Sequence, residues 1–143
     1  MDSPTHHRQR KPLRYGRRGV GVAVGLAPFA FLAASVPCGL QLGGVARGLG
    51  LVGVSLALLV AGLNAYLAAV RPLLYRRARG SMEGFKNVSG LPLVGSLLAL
   101  VGGLLGGGSV TYVALGVVAL LLDTGGLPWF IVWTWRDASF WDA

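Results

Sequence analysis

Leu120-Leu121-Leu122-Asp123-Thr124-Gly125-Gly126-Leu127-Pro128-Trp129-Phe130-Ile131-Val132-Trp133-Thr134-Trp135-Arg136 is the run on which the reading of this chain turns. An apolar helix should continue past Leu122. The sequence instead sets down a carboxylate, two glycines and a proline, then three of the four tryptophans of the chain. The apolar run before the break, residues 110–122, is about 20 Å long as a helix, some 10 Å short of a bilayer's hydrocarbon core of about 30 Å.

Two arrangements repair the shortfall. A helix continued to Trp135 leaves Asp123, the glycine pair and Pro128 at membrane depth, and an aspartate at a helix centre costs about 2.5–3.5 kcal/mol on insertion scales. A helix that stops near Asp123 lets Gly125-Gly126-Leu127-Pro128 turn and lays residues 127–135 along the inner boundary. There Trp129, Trp133 and Trp135 serve as interface anchors, rings buried and N–H groups wet. The second arrangement is the one expected. Asp123 is the only acidic residue between Glu83 and Asp137. An ionisable group at membrane depth is a functional candidate by default, as a proton or cation site. It also has structural roles open to it: pairing with Arg76, Arg77, Arg79 or Lys86, or capping the following turn with Thr124.

Outward from this stretch the composition is that of a membrane protein. Of 143 residues, 54% are hydrophobic and 13% charged, where a soluble domain has about a quarter charged. The net charge of +8 lies in two blocks, Arg8 to Arg18 and Arg71 to Lys86, beside apolar spans. Basic blocks so placed mark cytoplasmic loops and attract anionic headgroups; with no folded basic domain, no nucleic-acid partner is expected. One cysteine, Cys38, excludes an intrachain disulfide, and His6 and His7 stand alone in the polar tail. No metal-ligand spacing, phosphate-binding loop, nucleophile elbow or carboxylate pair occurs. No enzyme activity, metal or cofactor is expected.

The fold class expected is all-α: a polytopic helical bundle with four transmembrane helices. A basic cytoplasmic tail, residues 1–18, precedes one membrane domain, residues 19–135, and a short cytoplasmic tail, residues 136–143. The spans are expected at 19–36, 49–70, 90–106 and 110–122, with 127–135 interfacial. Arg71-Pro72 should end the second span, and residues 73–89 form a basic loop. Gly21 and Gly25 make a G-x-x-x-G pair. Gly53, Ala57, Ala61, Ala65 and Ala69 recur every fourth position in span two, and Gly95, Ala99, Gly103 and Gly107 do so in span three. Such small-residue stripes let helices, or copies of one in a homodimer, approach closely. Asn64 is expected to bond between helices. Gly106-Gly107-Gly108-Ser109 should turn spans three and four into a tight hairpin. The basic tail and loop place the N- and C-termini in the cytoplasm, leaving Arg47 alone outside. The sequon Asn87-Val88-Ser89 would then face the cytoplasm, where glycosylation does not occur.

Ser89-Gly90-Leu91-Pro92-Leu93-Val94-Gly95-Ser96 and Leu121-Leu122-Asp123-Thr124-Gly125-Gly126-Leu127-Pro128-Trp129-Phe130 resemble a pair of segments in small multi-pass bacterial membrane proteins, a group with no established activity. The resemblance covers about the C-terminal third and implies an inner-membrane location but no site residues. Proteins of this size and topology include immunity proteins that protect a bacterium from a toxin. The functional expectation is therefore a non-enzymatic protective or protein-binding role. The alternatives are a small transporter or channel using Asp123, and a structural subunit of a membrane complex.

Overall fold

The computed structural model describes residues 15–38, 42–86, 88, 90–91 and 93–141. Most of the basic tail with His6 and His7, both ends of the sequon (Asn87 and Ser89) and the last two residues lie outside these. Every regular element among the described residues is helical. In chain order they are α1 (Tyr15–Cys38), α2 (Gly44–Ala65), a π-helical turn (Tyr66–Val70), α3 (Arg71–Arg79), α4 (Val94–Leu105), α5 (Val110–Leu122), α6 (Leu127–Thr134) and α7 (Ala138–Trp141). Three helical stretches are long and apolar enough to cross a membrane: Gly16–Cys38, Gly44–Arg79 and Val110–Thr134, the last counted through its break. α4, with 12 residues, is shorter.

The second helix corrects the expectation that Arg71-Pro72 ends it. Proline removes a donor and its ring crowds the carbonyl four residues back. The chain absorbs this by widening one turn: the Arg71 N–H bonds the Tyr66 carbonyl, five residues back, and the helix resumes to Arg79. A π turn is a known way to admit such a residue without stopping the rod. Residues 73–79, read as loop, are therefore helical. The helix ends at Gly80, whose φ of 71° is left-handed and closes the last turn onto the Arg76 carbonyl. α1 likewise exceeds its expected bounds of 19–36, running through Pro28 and Pro37.

α2, α4 and α5 pack around a core of Leu32, Ala57, Ala99, Ala119 and Leu120, with Leu32 supplied by α1. The buried face of α2 is Gly50, Val54, Ala57, Ala61 and Asn64, not the fourfold stripe. Positions four apart drift by about 40° per step on a helix of 3.6 residues per turn. Alternating steps of four and three hold one face to within about 20° per seven residues. Ala57 and Ala61 belong to both patterns, whereas Ala65 is half-buried and Ala69 exposed.

Two contacts carry the close approach. Gly102 of α4 lies against the α2 backbone: a Cβ there would sit 2.6 Å from the Val54 nitrogen and 2.9 Å from the Gly53 carbonyl carbon. Gly103, expected on the same stripe as Gly95 and Ala99, turns instead toward Leu32 of α1. On the other side of the bundle α6 runs beside α1, with Ile131 against Gly25 and the Trp141 ring against Gly21. The G-x-x-x-G pair thus receives two large side chains rather than another glycine face.

Candidate functional site

The site forms where α5 stops. The Asp123 N–H still reaches the Ala119 carbonyl at 2.9 Å, but its ψ of 81° takes the chain out of the helix. Thr124 N–H donates to the Leu122 carbonyl at 2.9 Å and Gly126 N–H to the Asp123 carbonyl at 2.8 Å, closing a tight turn. The Trp129 indole N–H reaches back to the Leu121 carbonyl at 2.8 Å, supplying a donor that the ended helix lacks. α6 then starts at Leu127, with Pro128 in its first turn, where a missing N–H costs nothing.

This turn points the Asp123 side chain into the bundle, where its exposure is 0%. Its Oδ1 accepts a hydrogen bond from Asn64 Nδ2 of α2 at 2.7 Å, and its Oδ2 one from Ser96 Oγ of α4 at 2.8 Å. Asn64 also serves the chain leading into α4. Its Oδ1 accepts the Leu91 N–H at 2.9 Å and its Nδ2 donates to the Leu91 carbonyl at 3.1 Å. One amide therefore stands in for the partner that non-helical backbone needs away from water. The reverse amide orientation would set donor against donor at Leu91, so the network admits only this one. Because Leu91 is held in this way and precedes a proline, the third helix begins at Val94, after a left-handed Leu93, and not at residue 90.

Two glycines make room for the carboxyl. A Cβ on Gly95 would lie 2.8 Å from Asp123 Oδ2, and one on Gly126 3.1 Å from it. These positions are the first turn of α4 and the N-cap of α6, so the carboxyl lies at two helix N-termini, whose dipoles favour negative charge. That is how the fold accommodates a buried acid without a cation. Among the described residues none of the basic side chains offered as partners bonds Asp123. Arg71 stacks on Phe85 and Arg79 on Tyr75, each at 5.3 Å, while the Tyr75 hydroxyl donates to the Glu83 carbonyl. Nor does Asp123 cap the following turn: its oxygens go to α2 and α4, and α6 has no side-chain cap.

Thr124 is half-buried and lies with Asn64, Leu67, Ala68, Gly90 and Gly125 around a cavity of about 160 Å³. Of the tryptophans named as anchors, Trp129 is tied to Leu121, while Trp133 and Trp135 are exposed. Sequence reasoning singled out Asp123 and Asn64 but not Ser96, the one hydroxyl residue in α4, nor Trp141, which is buried with its N–H 2.7 Å from the Thr134 carbonyl. Ser96 could have been found as the only polar side chain in its apolar run. Among the described residues no three His, Cys, Asp or Glu side chains gather as metal ligands. The arrangement ties three helices together through one carboxyl whose two oxygens are both engaged. No protein-family model, curated protein or solved structure matches the chain.

Proposed function

We propose that this chain is a small integral protein of a bacterial inner membrane, with four spans and both termini cytoplasmic, that acts by binding another protein. Immunity to a membrane-active or periplasmic toxin is the form of that role we favour. The observation that carries the reading is the engagement of Asp123. The acidic group deepest in the bundle bonds Asn64 and Ser96 through its two oxygens and so holds helices together. In this reading α4 is the third crossing, led in by Gly90 and Leu91, and forms a hairpin with α5 through Gly106 to Ser109. α5 and α6 together make the fourth, about 20 Å and 12 Å of helix on either side of the turn, in place of the interfacial course expected for residues 127–135. Deleting the gene should sensitise cells when a toxin encoded beside it is expressed and leave growth unchanged otherwise. Equal survival with and without the gene rejects the immunity role.

A transport reading draws on the cavity beside Asn64, which adjoins the broken helix as ion sites in transporters do. It requires a flux into proteoliposomes that Asp123→Asn abolishes. A flux unaffected by that substitution rejects the mechanism.

A further inference from the structure

We infer that the end of α6 is a binding site for one anionic glycerophospholipid. The inference rests on the reading of this end of the bundle as the cytoplasmic boundary of a membrane and adds to it a defined ligand position. An open groove of about 600 Å³ is lined by Ile131, Val132, Trp133, Trp135 and Arg136. Its walls change character along the helix. Val132 and Trp133 are 62% and 75% exposed, an apolar surface fit for acyl chain. One turn on, Arg136 is exposed at the rim. The Arg18 guanidinium lies 5.6 Å from the centre of the Trp135 ring, bringing the start of α1 to the same place.

The local charge favours an anion. Arg136 lines the groove and Arg18 reaches it through Trp135, and the sequence around them is basic, with Arg8, Arg10, Lys11, Arg14 and Arg17 before Arg18 against Asp137 and Asp142 after Arg136. The vertical order of groups matches that of a phospholipid. Apolar side chains come first, then indoles at the depth where tryptophan settles among the ester groups, then guanidiniums able to grip a phosphate through two N–H groups. The groove is held in shape from behind. Ile131 packs on Gly25, the Trp141 ring packs on Gly21, and Trp141 stacks edge-on against Trp135 and Phe140. A zwitterionic lipid would fit the apolar part equally well, so the guanidiniums should confer the selectivity.

The test uses the full chain in vesicles and its own tryptophan fluorescence. Phosphatidylglycerol or phosphatidylcholine with brominated chains, each diluted in the unbrominated other lipid, quenches indoles that it touches. The expected result is preferential quenching by the anionic lipid, a preference that falls about fivefold in Arg136→Gln, the effect of removing one arginine near the surface. Arg79→Gln, in the other basic block, should leave it unchanged, with far-ultraviolet circular dichroism showing that both variants fold. Equal quenching by the two lipids, or equal loss of preference in both variants, overturns the site. Quenching by neither lipid overturns the membrane reading beneath it as well.

Discussion

Asn64 and Asp123, 59 positions apart, share a 2.7 Å hydrogen bond in which the carboxyl is wholly buried and the amide is also bound through both its polar atoms to Leu91. Three elements that would otherwise present unsatisfied groups away from water are thereby closed on one another. The stability of this junction should depend more on Asn64 than on whether position 123 carries a carboxyl or an amide.

Asn64→Ala removes three hydrogen bonds and strands the Leu91 peptide groups. At about 0.6 kcal/mol for an average interhelical bond in a membrane protein, the expected loss is about 2 kcal/mol. Asp123→Asn keeps the volume and still offers an oxygen to Asn64 and an amide to Ser96, so it should cost less than about 1 kcal/mol. Unfolding in mixed micelles by titration with a denaturing detergent measures both; equal losses would contradict the ranking.

Gly102→Ala should be among the most damaging single-methyl additions, because the atoms it meets are the Val54 and Gly53 backbone, which cannot rotate away. Overpacking of this kind costs about 1–3 kcal/mol. Gly62→Ala, on the same pair of helices but with nothing within 4 Å, should be neutral or stabilising by up to about 1 kcal/mol from helix propensity. A comparison of their thermal midpoints in one detergent separates close packing from glycine content.

Pro72→Ala restores the N–H that would bond the Ala68 carbonyl. The π turn at Tyr66–Val70 should then relax to α-helix, rotating α3 relative to α2. Backbone amide exchange gives the readout: a protected new amide at residue 72 and slower exchange at its neighbours are expected, and persistence of the Arg71 to Tyr66 bond would show that the turn has another cause.

Trp141→Ala empties the space against Gly21 and removes the indole bond to Thr134. Losses of about 3 kcal/mol accompany such truncations in well-packed cores. Trp133→Ala, at a side chain 75% exposed, should alter stability by less than about 0.5 kcal/mol. If the two were equally tolerated, α7 would not be docked on α1.

Much of the all-helical architecture was legible because an apolar run in a low-charge chain has few other outcomes, and the break at Asp123 was legible from helix length alone. The site was half legible. Asp123 and Asn64 stand out as polar residues in apolar runs, but their pairing does not, since nothing local relates two positions on different helices. Ser96 escaped notice because a serine is unremarkable in a membrane helix until a carboxyl faces it. The fourfold stripe misled, because regular spacing in sequence is not a fixed direction on a helix of 3.6 residues per turn.

By itself the sequence determined where helices form and where one must stop, since hydrophobic length, glycine pairs and prolines act over a few neighbouring residues. It also determined which end of each segment is basic. Only the tertiary structure decided that Pro72 is absorbed by a wider turn, that Gly102 rather than Gly103 meets α2, and that Asp123 is answered by Asn64 and Ser96 instead of an arginine. Those outcomes depend on which faces meet when helices pack. A buried carboxyl takes the donors and helix ends that close packing brings to it.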